Sequence, residues 1–337
     1  MSNSINNQSR NEGDLMSPVL DDEKKALGPF ELKDAKPSFA YRLYQQGCSN
    51  SWFPKEISLA QDKQEYETKL SDMEKHYIKY MLGFFCTAES LVANNITHAL
   101  YKHINNPEYK LYLLRQAYEE ANHTVTFLYI IDSLGLDRQE IFDMFKTIPE
   151  IGAKASFEEQ FTTDIMSKQE ISERELFKNL FGFYAIMEGL YFFSGFLIGL
   201  SFGRRQLLKG IASLFQYILR DETVHLGFGM QAMRQMIKDN PNLITDDLQA
   251  ELVAIMKQAV ELESNYAEVA MPEGILGLNK NYYLQYCQYI ADRRMGALKM
   301  DPIYRVANPA PWLATQTDLP ELVSFFEATP TSYESRV

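Results

Sequence analysis

Residues 180–203, LFGFYAIMEGLYFFSGFLIGLSFG, restrict what this chain can become more than any other stretch. As a helix the segment is long enough to cross a bilayer, and it carries a single charge, Glu188. An ionised glutamate at mid-bilayer costs about 2.5–3.5 kcal/mol on insertion scales, and no second span accompanies this one. The segment is therefore expected as a helix buried on all sides in a large soluble core, with Glu188 held there by something positive.

The rest of the chain can supply such a core. It has 337 residues, of which 46% are hydrophobic and 13% aromatic, enough for one big domain or two ordinary ones. Its 33 basic and 45 acidic residues leave a net charge of -12, which repels phosphate backbones and anionic membrane surfaces and argues against nucleic acid or membrane as a partner. Cys48, Cys86 and Cys287 are odd in number and show no CxxC spacing, so neither a disulfide framework nor a thiolate metal site is indicated, and a reducing cytoplasm fits. The start, MSNSINNQSRNEGD, lacks the basic and apolar regions of a signal peptide.

Punctuation along the chain reads as nearly all helix. SDME at 71–74 is a capping box opening a run to about His103. Asn106 and Pro107 start the next helix, which Gly135 ends. DRQE at 137–140 and SERE at 172–175 read as further boxes, the second opening the apolar helix through Glu188. A helix is expected from about Arg205 to Asn240, where Pro241 follows, and another over ITDDLQAELVAIMKQAVELESNYAEVA. Long helices with short links predict an all-α bundle. Residues 1–30 are polar and weakly patterned, and beyond NPAPW (308–312) the chain is rich in Pro, Thr and Ser, so a flexible start, a helical domain over 31–312 and a mobile tail over 313–337 are expected.

Two segments of this bundle carry the same pair of polar residues. Glu120 and His123 lie three apart in YEEANHTVTF, and Glu222 and His225 repeat the spacing in RDETVHLGF. Each pair is preceded by a helix whose apolar run holds a lone glutamate: Glu89 in FFCTAESLV, then Glu188. Residues at i and i+3 project from nearly one face, so each ExxH offers an oxygen and a nitrogen to a common point. Singly, an ExxH is more often a surface pair and a buried-looking Glu a misread helix face. In this order, however, the six are the ligand set of ferritin-like di-iron and di-manganese carboxylate bundles. Four carboxylates in low dielectric repel strongly, and two divalent cations cancel that charge. Oxygen-rich ligands with imidazole and no thiolate suit iron or manganese rather than structural zinc or Cu(I). His76, His98 and His103 lack such partners and are left outside the site.

The segments FFCTAESLVANNI, YLLRQAYEEANHTVTFLYI, IMEGLYFFSGF, YILRDETVHLGFG, GILGLN, YIADRR and NPAPW, in this order, resemble the small, radical-generating subunit of class I ribonucleotide reductase over about residues 38–313. The resemblance implies a ferritin-like bundle with additional helices, and metal ligands at Glu89, Glu120, His123, Glu188, Glu222 and His225, with Glu120 and Glu222 bridging. Most members place a radical-storing tyrosine where this chain has Phe127, four residues after His123; Tyr129 is turned off that face. Phe127 also reads as a plain core aromatic or as an engineered change from tyrosine. The tyrosyl-radical forms usually have Asp at the position of Glu89, so Glu with Phe resembles subclass Ic, which stores its oxidising equivalent as manganese(IV)/iron(III) after reaction with O2; two irons are the alternative. Trp52, Asp221 and His123 match the family's exit route, Tyr333 its last stepping stone, and Tyr217 an electron carrier during activation. In plainer readings Trp52 is core packing, Asp221 orients a ligand and Tyr333 is a tail residue.

The resemblance further implies a homodimer that docks its tail on a large catalytic subunit, where a cysteine receives the hole and ribonucleotides are reduced. The chain itself shows no Gly-rich phosphate loop. A ligand-binding oxidase of the same superfamily and an iron-storage cage protein are the competing readings.

Overall fold

The computed structural model describes residues 18–20, 28–32, 38–274 and 278–313. Ser38 accepts from Tyr41 N and opens α1 (Phe39–Ser49). A loop with a short 3-10 turn, Pro54–Glu56, leads to α2 (Ala60–Thr68). Ser71 and Glu74 close the expected capping box at the head of α3 (Asp72–Asn95), whose axis continues through a π-helical turn, Ile96–Leu100, into α4 (Tyr101–His103). Asn106 caps α5 (Pro107–Leu134), and Gly135 ends it at φ 71°, a left-handed conformation that glycine adopts without a Cβ clash.

At 137–140 the box closes only halfway. Asp137 accepts from Glu140 N, but the Glu140 side chain reaches across to Lys79 Nζ at 2.8 Å instead of back to its own helix start, and α6 (Arg138–Phe142) is short. The chain continues through α7 (Met144–Thr147) and α8 (Pro149–Met166). The box at Ser172 and Glu175 is complete and opens α9 (Glu173–Leu180), which runs into a π-helical segment, Phe181–Tyr191, and then α10 (Phe192–Arg204).

The next helix begins later than its sequence implies. Gln206 and Leu208 take φ values of 63° and 48°, so the chain turns before α11 (Lys209–Asp239) rather than entering it at Arg205. Thr245 caps α12 (Asp246–Ala270), and Asn279 caps α13 (Lys280–Ala297). Among the described residues every regular element is helical.

Four rods form the inner bundle: α3, α5, the continuous α9–π–α10 rod, and α11. Helix α1 lies across α5 and α11, while α8, α12 and α13 cover α3 and the π-helical segment. That covering accounts for the apolar run. The only described helix long and apolar enough for a membrane spans Glu173–Arg204, and its apolar window is 94% buried inside the protein.

Candidate dinuclear metal centre

Each inner rod turns one or two carboxylates or imidazoles toward the bundle axis, and all six side chains of the double motif are fully buried. They meet as two overlapping groups. Ligand atoms of Glu89, Glu120, His123 and Glu222 lie within 4.8 Å of one another, and so do those of Glu120, Glu188, Glu222 and His225. Glu120 and Glu222 belong to both groups, so each offers a carboxylate within reach of either one. Both imidazoles present Nδ1 to the carboxylates: His123 Nδ1 lies 3.0 Å from Glu222 and 3.4 Å from Glu120, and His225 Nδ1 3.1 Å from each of the same two residues.

The donor set fits cations. Both oxygens of Glu89, Oε2 of Glu120 and of Glu188, Oε1 of Glu222 and Nδ1 of His123 are buried and make no directed hydrogen bond, although imidazole nitrogens stand 3.0–3.5 Å from four of these oxygens. Groups left in that state cost roughly 1–3 kcal/mol each, more when charged, unless something else satisfies them. Electrostatics points the same way. Burial pushes the Glu89 and Glu188 carboxyls well above the usual range, and the charges of Glu222 and Glu120 push Glu188 further. Burial alone would depress both imidazoles, yet Glu89 beside His123 and Glu120 beside His225 carry them well above the ordinary value. Both shifts have one cause, a concentration of negative charge in a dry pocket, which is the environment that favours bound cations.

The remaining singled-out residues divide between the His123 side of the centre and the bundle core. Trp52, on the loop after α1, donates from Nε1 to Asp221 Oδ2 at 2.7 Å and stacks on His123 with centroids 6.2 Å apart. Asp221 Oδ2 also lies 3.4 Å from His123 Nε2. Tyr217 packs 5.2 Å from the Trp52 ring, with the Arg220 guanidinium 5.5 Å over its own ring. Phe127 sits among phenyl rings, stacked on Phe85 at 4.9 Å and edge-on to Phe215 at 5.7 Å. Tyr129 points away and donates to Ile57 O. Tyr333 lies outside the described residues.

Two contributors escaped the sequence reading. Gln116, one turn before Glu120, donates from Nε2 to both Glu120 (3.2 Å) and Glu188 (3.0 Å), and accepts from the Tyr184 hydroxyl at 2.8 Å. Glu119 Oε2 lies 2.9 Å from His225 Nε2. The signal for Glu119 was present: each ExxH is preceded by an acid, EE at 119–120 and DE at 221–222.

An inner four-rod bundle that gathers four buried carboxylates and two imidazoles into two overlapping groups has the arrangement of a ferritin-like dinuclear-metal carboxylate protein. The family model of the ribonucleotide reductase small chain matches residues 29–309, and the chain belongs to that family. It is 45% identical over 311 residues to the ribonucleoside-diphosphate reductase subunit beta of Chlamydia pneumoniae, covering 90% of each chain. It is 25% identical to the ribonucleoside-diphosphate reductase small subunit of Dictyostelium discoideum, over 95% of this chain and 89% of that one. Among solved structures it is similar in fold to the ribonucleotide reductase R2 subunit from Clostridium botulinum, with TM-score 0.80, 23% identity, and 90% and 95% of the two chains covered. An R2-like ligand-binding oxidase mutant with an anaerobically reconstituted Mn/Fe cofactor shares the fold at TM-score 0.66 and 17% identity, over 80% and 94%.

Proposed function

We propose that this chain is the radical-generating small subunit of a ribonucleoside-diphosphate reductase and that it works in the manner of subclass Ic. Its own residues hold manganese and iron, with a di-iron pair as the alternative. Glu89, His123, Glu120 and Glu222 would hold one ion, and Glu188, His225 and the same two glutamates would hold the other. Once reacted with O2, such a centre supplies a one-electron oxidising equivalent.

The observation carrying the subclass reading is the wall of phenyl rings around Phe127. At the place where a phenol would store the hole, Phe85, Phe127, Phe196 and Phe215 exclude water and offer no ionisable hydrogen. The exit lies on the His123 side. Trp52 gives up an electron toward the centre while its Nε1 proton passes along the 2.7 Å hydrogen bond to Asp221, so the indole transmits charge without becoming a buried cation. The tail over 313–337, with Tyr333, carries the hole to a cysteine of the large subunit as a segment that folds on docking.

Two further readings accompany this one. Leu114, Tyr118, Ala121 and Val125 are exposed on α5 and Leu128 partly so, at the 4-3-4-3 spacing of a helix-pairing seam, which supports a homodimer joined along α5. Cys48, Cys86 and Cys287 are all free thiols, which supports a cytoplasmic location.

The test is to load the full chain with Mn(II) and Fe(II) under O2 and assay nucleoside-diphosphate reduction with a class I large subunit. Turnover is expected, with one manganese and one iron by anomalous scattering at both edges and no tyrosyl signal in electron paramagnetic resonance. Trp52→Phe should abolish turnover and leave metal content unchanged. Two irons with a tyrosyl signal would overturn the subclass, and a co-purifying long apolar ligand without reduction would favour the oxidase.

A further inference from the structure

The two acids that precede the ExxH motifs cross over. Asp221 of α11 meets His123 of α5, and Glu119 of α5 meets His225 of α11. Because both Nδ1 atoms face the carboxylates, Nε2–H is the donor left for each acid. Beyond the acids the two arms diverge. Each acid's other oxygen meets an arginine, Arg220 Nη2 at 3.3 Å from Asp221 Oδ1 and Arg115 Nε and Nη2, one turn earlier on α5, both at 3.0 Å from Glu119 Oε1, but Asp221 alone also continues to an indole, Trp52. This second arm is enclosed: the Arg115 and Glu119 side chains are 11% and 4% exposed. Helix α1 closes over it at Gly47, where a Cβ would stand 3.0 Å from both Arg115 Cγ and Glu119 Oε1.

We propose that Glu119, anchored by Arg115, is the positioning residue for His225 and sets how tightly the Glu188–His225 position keeps its ion. The proposal rests on the dinuclear reading above. A ligand imidazole that donates its remote N–H to a carboxylate is fixed in tautomer and rotation, and it is a better donor to metal. The guanidinium has a second effect. By holding Glu119 Oε1 from two nitrogens it keeps the carboxylate turned toward His225 Nε2, so that Glu119 orients a ligand instead of competing as one. The contact at His225, 2.9 Å, is shorter than the 3.4 Å contact of Asp221 at His123, and it touches only one of the two metal positions.

The test uses the full chain and Mn(II) alone without oxygen, measuring affinity by equilibrium dialysis and the occupancy of each position by anomalous diffraction. Glu119→Ala should weaken the Glu188–His225 position by about 10–100-fold, with less than about a threefold change at the His123 position. Glu119→Gln, which keeps an acceptor oxygen, should recover part of that loss. Circular dichroism of the metal-free variants checks that the helices persist. Parallel weakening of both positions, or no weakening of either, overturns the proposal. If the unmodified chain fails to take up two ions, the dinuclear reading falls and this inference with it; if it takes up two and Glu119→Ala loses neither selectively, the inference alone falls.

Discussion

Two buried ionisable clusters are built partly on the same elements, α3 and the π-helical segment, and they solve the problem of buried charge differently. In the second cluster Lys154 of α8 lies 3.0 Å from Glu263 of α12, whose other oxygen accepts from Tyr283 at 2.8 Å. The ammonium also stands over aromatic faces, 3.6 Å from the Phe84 centroid, 4.4 Å from Tyr191 and 4.6 Å from Tyr266. Burial lowers the Lys154 pKa and raises that of Glu263, and each partner's charge opposes the other's shift. This cluster carries its own cation on a covalent stem, so folding completes it. The dinuclear centre has four carboxylates and no Lys or Arg among its six members, so it is complete only when loaded. Where a bundle already has the means to neutralise a buried acid with lysine, leaving four acids without one marks a site reserved for something exchangeable.

The largest expected effect breaks the exchangeable side. Glu120→Ala removes a carboxylate shared by both metal positions, and affinity for both ions should fall by more than about 100-fold, beyond what loss of an orienting partner costs. Metal analysis after gel filtration reads this directly, and reductase activity should vanish with the metal. Next in size is the covalent side. Lys154→Met leaves Glu263 buried and uncompensated, at a cost of about 3–5 kcal/mol in urea unfolding of the metal-free chain. Adding Glu263→Met should return most of that loss, while metal stoichiometry stays the same in both variants.

The smallest effect sharpens the comparison. Glu158 is buried beside the Lys154 pair, and its Oε1 has no hydrogen-bond partner. Burial holds its folded pKa well above the unfolded value, so stability is greatest below the unfolded pKa and is lost as pH rises through the folded one. Glu158→Gln should therefore stabilise the chain by about 1–2 kcal/mol at neutral pH. The gain should shrink below about pH 4, where both states hold the proton, and melting curves across pH would show it.

Legibility from sequence tracked the kind of periodicity involved. The convergence of the six buried carboxylates and imidazoles was legible because i and i+3 share a helix face, and the doubling of Glu then ExxH set their order. Helix starts at Ser71, Asn106 and Ser172 were legible from local capping chemistry. The Lys154–Glu263 pair was not, because nothing local ties α8 to α12 and each residue alone resembles a solvated charge. Gln116 was hidden for a similar reason: its partner Glu188 belongs to another rod. The turn before α11 was missed because left-handed conformations at Gln206 and Leu208 run against residue preference and are held by tertiary contacts, among them Leu208 N donating to Glu65. The π-helical character of 181–191 was invisible in a run so uniformly apolar that any helical pitch buries the same residue types.

That wider pitch ties the centre to chain length as well as to chemistry. Every residue removed from an α-helix rotates the remainder of the rod by roughly 100°. Excising one residue between Phe181 and Glu188 would let the backbone relax toward ordinary pitch and release Arg294 from the Gly189 carbonyl it now satisfies at 2.9 Å. The tidier helix would aim Glu188 away from Glu120, Glu222 and His225, so a gap in this segment would dismantle the cluster without altering any of its six members.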